Sequence, residues 1–303
     1  LGRSLGVDLG PFKVCTCDCV YCQLGRTTAK TTERREYVPV EDVLSELREK
    51  LASGGPCDYI GLAGSGEPTL HSGIGTILRE IKRMTNTPVA VLTNGTLLWK
   101  DEVQEELMEA DLVIPSLDAG DERLFRWVNR PHEDISFDRM VAGLVSFTRR
   151  FPGEVWLEVL LIDGVTGFPS HVEKIAALVG EIAPARVQLN TVSRPPAEMF
   201  AHPVLEARLH ALASLFPGRV EVLTAGEGTG PAEGPAPEAG EVEILTLLRR
   251  RPCTAGDGAE GLGIHLNEVL KHLGRLRVTG LVNAVVAGGR SYYTVTGTGS
   301  RAG

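Results

Sequence analysis

Cys15-Thr16-Cys17-Asp18-Cys19-Val20-Tyr21-Cys22 sets three cysteines, Cys15, Cys19 and Cys22, in a C-x3-C-x2-C spacing, with an aromatic residue directly before the last. Three thiolates from one short loop can grip three irons of a four-iron cluster and leave the fourth open. An open iron can bind a small molecule, whereas a fully ligated cluster can only pass electrons. Zinc is the main rival, but tetrahedral zinc sites usually draw two separated pairs from two segments. The remaining cysteines, Cys57 and Cys253, stand alone. A disulfide framework does not suit a 303-residue chain whose thiols crowd into one loop. Cys17 falls inside the x3 gap, so its side chain is expected to point away from the cluster position.

Around that loop the chain reads as an ordinary globular one, with 43% hydrophobic and 23% charged residues. Its 303 residues can bury a full core, with one large domain and one small one expected. No run approaches the ~18 to 20 apolar residues of a membrane helix, so no membrane span is expected. Six cysteines, four of them clustered, fit a reducing cytoplasm. The net charge of −8 argues against a general basic coat for nucleic acid and leaves a local basic patch open.

Up to residue 224 short β-rich runs alternate with amphipathic stretches. Residues 4–9, 59–63, 89–92, 112–117, 155–162 and 187–189 read as strands. Residues 40–51, 74–84, 102–109, 137–149, 171–182 and 203–215 read as helices. Alternation at this spacing implies parallel βαβ crossovers. Six such units make a curved sheet, either doubly wound or an incomplete barrel. Polar residues gather at the strand C-terminal ends, where parallel α/β folds place their ligands. They are Gly66-Glu67-Pro68 after the second strand, Thr93 and Asn94 after the third, Ser116 and Asp118 after the fourth, and Asn190 after the sixth. Asn, Asp and Ser there also serve as plain turn and cap residues. Glu158 lies within the fifth strand and faces either the barrel interior, where a charge must be paired, or solvent. Asn129-Arg130-Pro131-His132 and Arg194-Pro195-Pro196 read either as loops for a substrate anion or as surface ion pairs.

Residues 225–240 are rich in Gly, Pro, Ala and Glu and read as a linker between a domain of residues 1–224 and a module of residues 241–296, with residues 297–303 as a tail. In the module, residues 241–250 and 267–276 read as helices and residues 281–295 as a hairpin turning at Gly288-Gly289. Helices followed by a small β-wing resemble a winged helix-turn-helix. Residues 241–303 carry eight Lys/Arg against five Asp/Glu, a net of +3 that leaves −11 for the rest. Lys271, Arg275 and Arg277 lie on or just past the second helix, so this module is expected to touch nucleic acid or to dock a protein.

The cysteine loop with Tyr21, together with Ser4-Leu5-Gly6-Val7-Asp8, Cys22-Gln23-Leu24-Gly25, Gly66-Glu67-Pro68-Thr69-Leu70 and Pro115-Ser116-Leu117-Asp118, resembles the radical S-adenosylmethionine (SAM) superfamily. Within it the chain resembles a group loosely related to wyosine-type tRNA modification enzymes. The resemblance covers nearly all of residues 1–224 and implies a partial (β/α)6 TIM-like barrel. It implies a [4Fe-4S] cluster on Cys15, Cys19 and Cys22, whose open iron holds SAM. Reductive cleavage of SAM would give a 5′-deoxyadenosyl radical that takes hydrogen from a substrate: tRNA or another RNA, a peptide or a metabolite. It implies backbone carbonyls of Gly66-Glu67-Pro68 at the SAM amino group, Tyr21 beside the adenine, and Ser116 and Asp118 at the ribose. Thr93, Asn94, Glu158 and Asn190 would complete the SAM site. A flavodoxin- or ferredoxin-type reductant is implied too. The rival from another class is an iron–sulfur redox-sensing regulator that binds nucleic acid through its winged helix. The Gly66-Glu67-Pro68 loop and the six βα units argue against it, since a sensor needs neither.

Overall fold

The computed structural model describes residues 2–54, 57–223 and 240–296. Two compact units emerge, one of residues 1–20, 27–191 and 204–223, the other of residues 21–26, 192–203 and 224–303.

Seven parallel strands build the sheet of the first unit: β1 (Ser4–Val7), β2 (Tyr59–Leu62), β3 (Val89–Thr93), β4 (Leu112–Pro115), β5 (Glu154–Asp163), β6 (Arg186–Thr191) and β7 (Val220–Val222). They lie side by side in chain order. That order decides between the two architectures left open by the sequence. A doubly wound sheet reverses direction at its first strand; here every crossover steps the same way. Right-handed crossovers then place all helices on one face, and the sheet curls about the other, as in a partial TIM-like barrel. The connecting helices are α1 (Val40–Ser53), α2 (Ile74–Met84), α3 (Asp101–Leu107), α4 (Glu122–Val128), α5 (Phe137–Arg150), α6 (Pro169–Ile182) and α7 (Glu206–Ala213).

The expected strands and helices are present with ends shifted by up to a few residues. Among the strands of this sheet and its helices, β7 and α4 were not foreseen. β7 is three residues long, and only its pairing Val220↔Val187 with β6 makes it a strand. α4 follows Asp121, whose carboxylate caps it by accepting the Leu124 N–H at 3.0 Å.

Strand alternation sorts the two faces of the sheet. In β5, Val155, Leu157, Val159 and Leu161 are buried while Trp156, Glu158 and Leu160 are half-buried. The first set joins Ile60, Leu62, Val91, Val113, Val187 and Leu189 beneath Ile77, Leu78, Ile81, Leu144, Phe147 and Val172 of the helices. Each fully buried aliphatic side chain there contributes about 1.5–3 kcal/mol. On the other face Ala90, Leu112 and Ile114 pack with Tyr59, Leu92 and Trp156. Beside them Arg186 stacks over Trp156 at 4.1 Å and pairs with Glu221 at 2.7 Å.

The second unit contains α8 (Glu241–Arg250), α9 (Ala255–Leu262), α10 (Leu266–Val278) and an antiparallel hairpin, β8 (Val282–Ala287) with β9 (Arg290–Val295). Gly288 and Gly289 form the turn with φ of 54° and 73°, the left-handed pair that a two-residue hairpin requires. α9 was missed in the sequence because three glycines in eight residues lower helix propensity. Its capping box was the available signal: Thr254 Oγ1 accepts the Asp257 N–H, and Asp257 Oδ2 accepts the Thr254 N–H. Ile244, Leu248, Cys253, Ile264, Val269, Leu273, Leu276 and Val282 form a core of their own. Residues 192–203 join this unit through Arg194, which pairs with Asp257 at 2.9 Å and donates to the Pro252 carbonyl, and through Tyr292 Oη, which donates to the Ser193 carbonyl.

The proposed linker, residues 225–240, lies outside the described residues except for Gly240, as does the tail, residues 297–303. No helix among the described residues is long and apolar enough to cross a membrane.

Candidate active site at the thiol loop

The thiol loop leaves β1 and is gripped first by the loop after β2. Val14 and Cys15 pair with Ala29 and Lys30, and the Lys13 N–H donates to the Ser65 carbonyl at 2.6 Å. The Val14 carbonyl accepts the Glu67 N–H at 3.1 Å. A Cβ on Gly66 would lie 2.0 Å from that carbonyl oxygen, so only glycine fits. Asp8, at the end of β1, fixes the same loop by accepting the Ser65 N–H at 3.0 Å and the Ser65 hydroxyl at 2.6 Å.

Glu67 is buried and fully engaged. Its Oε1 accepts from Thr69 N at 3.0 Å, Thr69 Oγ1 at 2.7 Å and Thr93 Oγ1 at 2.6 Å, and its Oε2 accepts from Asn94 N at 2.8 Å. Burial pushes its carboxyl above the ordinary range, opposed by those hydrogen bonds. The side chain ties the Gly66-Glu67-Pro68 loop to the end of β3, and Pro68 starts a short 3-10 turn, Pro68–Leu70. Asn94 continues from there to the thiols: its Nδ2 lies 2.7 Å from Thr16 Oγ1 and 3.5 Å from Cys15 Sγ.

A second grip comes from residues 128–132, which connect α4 to α5. The Val20 N–H donates to the Val128 carbonyl at 2.9 Å, Asp18 N–H to the Asn129 carbonyl at 3.0 Å, and His132 N–H to the Thr16 carbonyl at 2.8 Å. Cys17 bridges to Pro131. Arg130 takes a left-handed φ of 45° to let the segment follow the loop. Asn129 therefore supports the thiols, a role that sequence reasoning missed when it weighed this loop for a substrate anion. Its Nδ2 is 3.6 Å from Cys19 Sγ and 2.8 Å from Asp118 Oδ2. Asp118 is buried, and its Oδ1 accepts the Leu160 N–H at 3.0 Å.

Ser116 bridges by its backbone to Glu158, and Asn190 Nδ2 donates to Glu158 Oε1 at 3.1 Å. Glu158 thus lies half-buried on the face of the sheet away from the helices. Burial raises its pKa; the Asn190 bond lowers it and the Asp118 charge raises it further.

The structure therefore joins Cys15 to Asn94, Glu67, Thr93 and Gly66, and Cys19 to Asn129 and Asp118, with Glu158 and Asn190 on the neighbouring strands. Tyr21 and Cys22 group with the second unit and are half-buried. Arg194 is committed to its ion pair with Asp257.

Cys17 is 2% exposed, whereas Cys15, Cys19 and Cys22 are half-buried. Among the described residues no three His, Cys, Asp or Glu side chains converge on a point that would hold a single metal ion. A four-iron cluster is a larger object, and its thiolates need not meet at one point. The donor set suits it: soft thiols, partly accessible, with amide N–H groups at the sulfurs of Cys15 and Cys19. Without a metal, burial, then Glu67 and Cys19, push the Cys15 thiol up to about 12, and a bound cation inverts that preference.

The radical SAM superfamily profile matches residues 10–179. A protein named GTPase Obg from Brachyspira hyodysenteriae is 36% identical over 296 residues, covering 97% of this chain and 44% of that one. The chain thus spans less than half the length of that relative. A UPF0026 protein from Helicobacter pylori is 34% identical over 279 residues, 89% of each chain. Among solved structures, Streptococcus suis SuiB bound to the precursor peptide SuiA superposes with a TM-score of 0.57 at 16% identity, covering 75% of this chain and 50% of that one. At that identity the likeness speaks for the fold alone.

Proposed function

The chain belongs to the radical SAM superfamily and is an enzyme, and from that premise we propose that it holds a [4Fe-4S] cluster on Cys15, Cys19 and Cys22 and binds SAM at the strand ends beside it. The observation that carries this reading is the sorting of the thiols: Cys17 is buried, while Cys15 and Cys19 are half-buried and each faces a side-chain amide. Held by Cys15, Cys19 and Cys22, a reduced cluster would supply one-electron reduction of SAM, the chemistry by which hydrogen abstraction from a substrate would begin.

The chain's own groups do the positioning. Glu67 commits its carboxylate to four internal donors and so fixes the loop whose backbone carbonyls, at Gly66-Glu67-Pro68, would meet the SAM amino group; those of Glu67 and Pro68 also accept the Leu70 and His71 N–H. Ser116 and Asp118 serve the ribose, and Tyr21 the adenine. Glu158, held by Asn190 and raised in pKa, offers a carboxyl on the inner face for a polar group of SAM or substrate. A flavodoxin- or ferredoxin-type protein would deliver the electron. The substrate class, among RNA, peptides and metabolites, is open.

We read residues 241–296 as a winged-helix module that docks a protein. Two cations expected to face nucleic acid are neutralised by neighbours: Lys271 pairs with Glu268 at 2.6 Å and Arg275 with Glu241 at 3.6 Å. The test of the catalytic reading is product analysis. Anaerobically reconstituted, dithionite-reduced protein given SAM should release 5′-deoxyadenosine; cluster-loaded protein that binds SAM and releases none would sink it.

A further inference from the structure

Two asparagine amides stand at the thiols, and they are anchored differently. Asn94 Nδ2 reaches Cys15 Sγ at 3.5 Å and the neutral Thr16 hydroxyl at 2.7 Å, while its Oδ1 accepts the Thr96 N–H at 3.0 Å and the Thr96 hydroxyl at 2.6 Å. Asn129 Nδ2 reaches Cys19 Sγ at 3.6 Å and the Asp118 carboxylate at 2.8 Å. Chemistry fixes both orientations. The Thr96 N–H can only donate, so Asn94 must present its oxygen to it; a carboxylate accepts, so Asn129 must present its nitrogen to Asp118. A primary amide carries two N–H hydrogens, so each nitrogen can serve an oxygen and a sulfur together.

We propose that Asn129 is a positioning residue that couples occupancy of the SAM site at Asp118 to the reduction potential of the cluster through Cys19. This rests on the reading of Cys19 and Asp118 given above. Hydrogen bonds to ligand sulfurs help set the potential of an iron–sulfur cluster, because the positive end of the N–H dipole favours the added electron. Asp118 and Cys19 each take one hydrogen of the same amide, so the pull of the carboxylate sets how closely the nitrogen can approach the sulfur. Its Oδ1 already holds the Leu160 N–H, so Oδ2 is the oxygen it shares with Asn129. Ribose hydroxyls that donate to Asp118 spread its charge over more donors and loosen its hold on Asn129. The amide then turns more fully to Cys19, and the cluster becomes easier to reduce once SAM is seated. Asn94, anchored on threonine hydroxyls, does not reach Asp118, so Asn94→Ala reports the loss of a sulfur hydrogen bond in the protein without SAM.

The test is an EPR-monitored redox titration of the anaerobically reconstituted full chain, with and without SAM, in the native protein, Asn94→Ala and Asn129→Ala, matched for iron content. Each substitution should make reduction about tenfold less favourable, about 59 mV for a one-electron couple. Asn129→Ala should also shrink the upward shift that SAM is expected to cause in the native protein. Asn129→Leu, which keeps the volume without an N–H, replaces the alanine variant should that one lose iron. A SAM-induced shift in the Asn129 variants equal to the native one overturns the coupling, with cluster and SAM both still bound. Native protein that takes up no four-iron cluster, or binds no SAM in equilibrium dialysis, overturns the reading beneath it as well.

Discussion

Cys15 is held by backbone that passes so close that a methyl group would collide with it; Cys19 is held by a segment more than a hundred residues away, through hydrogen bonds that any side chain permits. On the Cys15 side the contact is Gly66 against the Val14 carbonyl, locked from behind by Glu67 and its four donors. On the Cys19 side residues 128–132 run along residues 16–20 and bond N–H to carbonyl, with Asn129 adding its amide. The first arrangement is rigid and intolerant of substitution. The second is tolerant in its backbone and places its chemistry in one side chain, where an adjustable contact belongs.

The largest expected effect sharpens the sorting of thiols on which both sides depend. Cys19→Ala should abolish the cluster, while Cys17→Ala, which removes a buried thiol hydrogen-bonded to Cys19 and to the Thr16 hydroxyl, should leave most of the iron in place. Iron analysis after anaerobic reconstitution decides; equal losses would make Cys17 a ligand and undo the assignment.

Next comes stability, where the two sides should part. Gly66→Ala should cost at least about 3 kcal/mol, since the new methyl lands on a backbone oxygen that cannot move without carrying Cys15 with it. Arg130→Gly on the other side should stay within about 1 kcal/mol, because glycine adopts the left-handed φ of 45° without strain and the backbone bonds survive. Urea unfolding of both variants measures the contrast; similar losses would erase it.

How much of this was legible follows the same division. The Cys15 side is built from short motifs that lie at strand ends, so Gly66-Glu67-Pro68, Thr93 and Asn94 could be read directly, whereas the alternation of β5 left Glu158 between the interior and solvent. The Cys19 side depends on which loop the topology brings against residues 16–20, and nothing local in Asn129-Arg130-Pro131-His132 says that its partner is the thiol loop. Strand order, too, is a property of pairing, so periodicity alone left a doubly wound sheet and a barrel equally open. β7, with three residues, is defined by its neighbour, and α9 by a capping box that offsets its glycines.

The smallest expected effect is a pH dependence at Glu158. Its pKa is raised in the folded state, chiefly by burial, so its contribution to stability is fully present below the unfolded carboxyl value and is lost as pH rises through the folded one. Glu158→Gln removes that loss. The variant should gain thermal stability relative to native protein at pH 7.5 and gain less at pH 4.5; a difference independent of pH would place the carboxyl in solvent.

The central claim is that three thiolates of one loop hold a cluster with an iron left for SAM. EPR spectra of the reduced, reconstituted chain, recorded before and after SAM is added, test it most directly. The account predicts about four irons per chain and a signal that changes when SAM binds the open iron; a cluster signal that SAM leaves unchanged would contradict it.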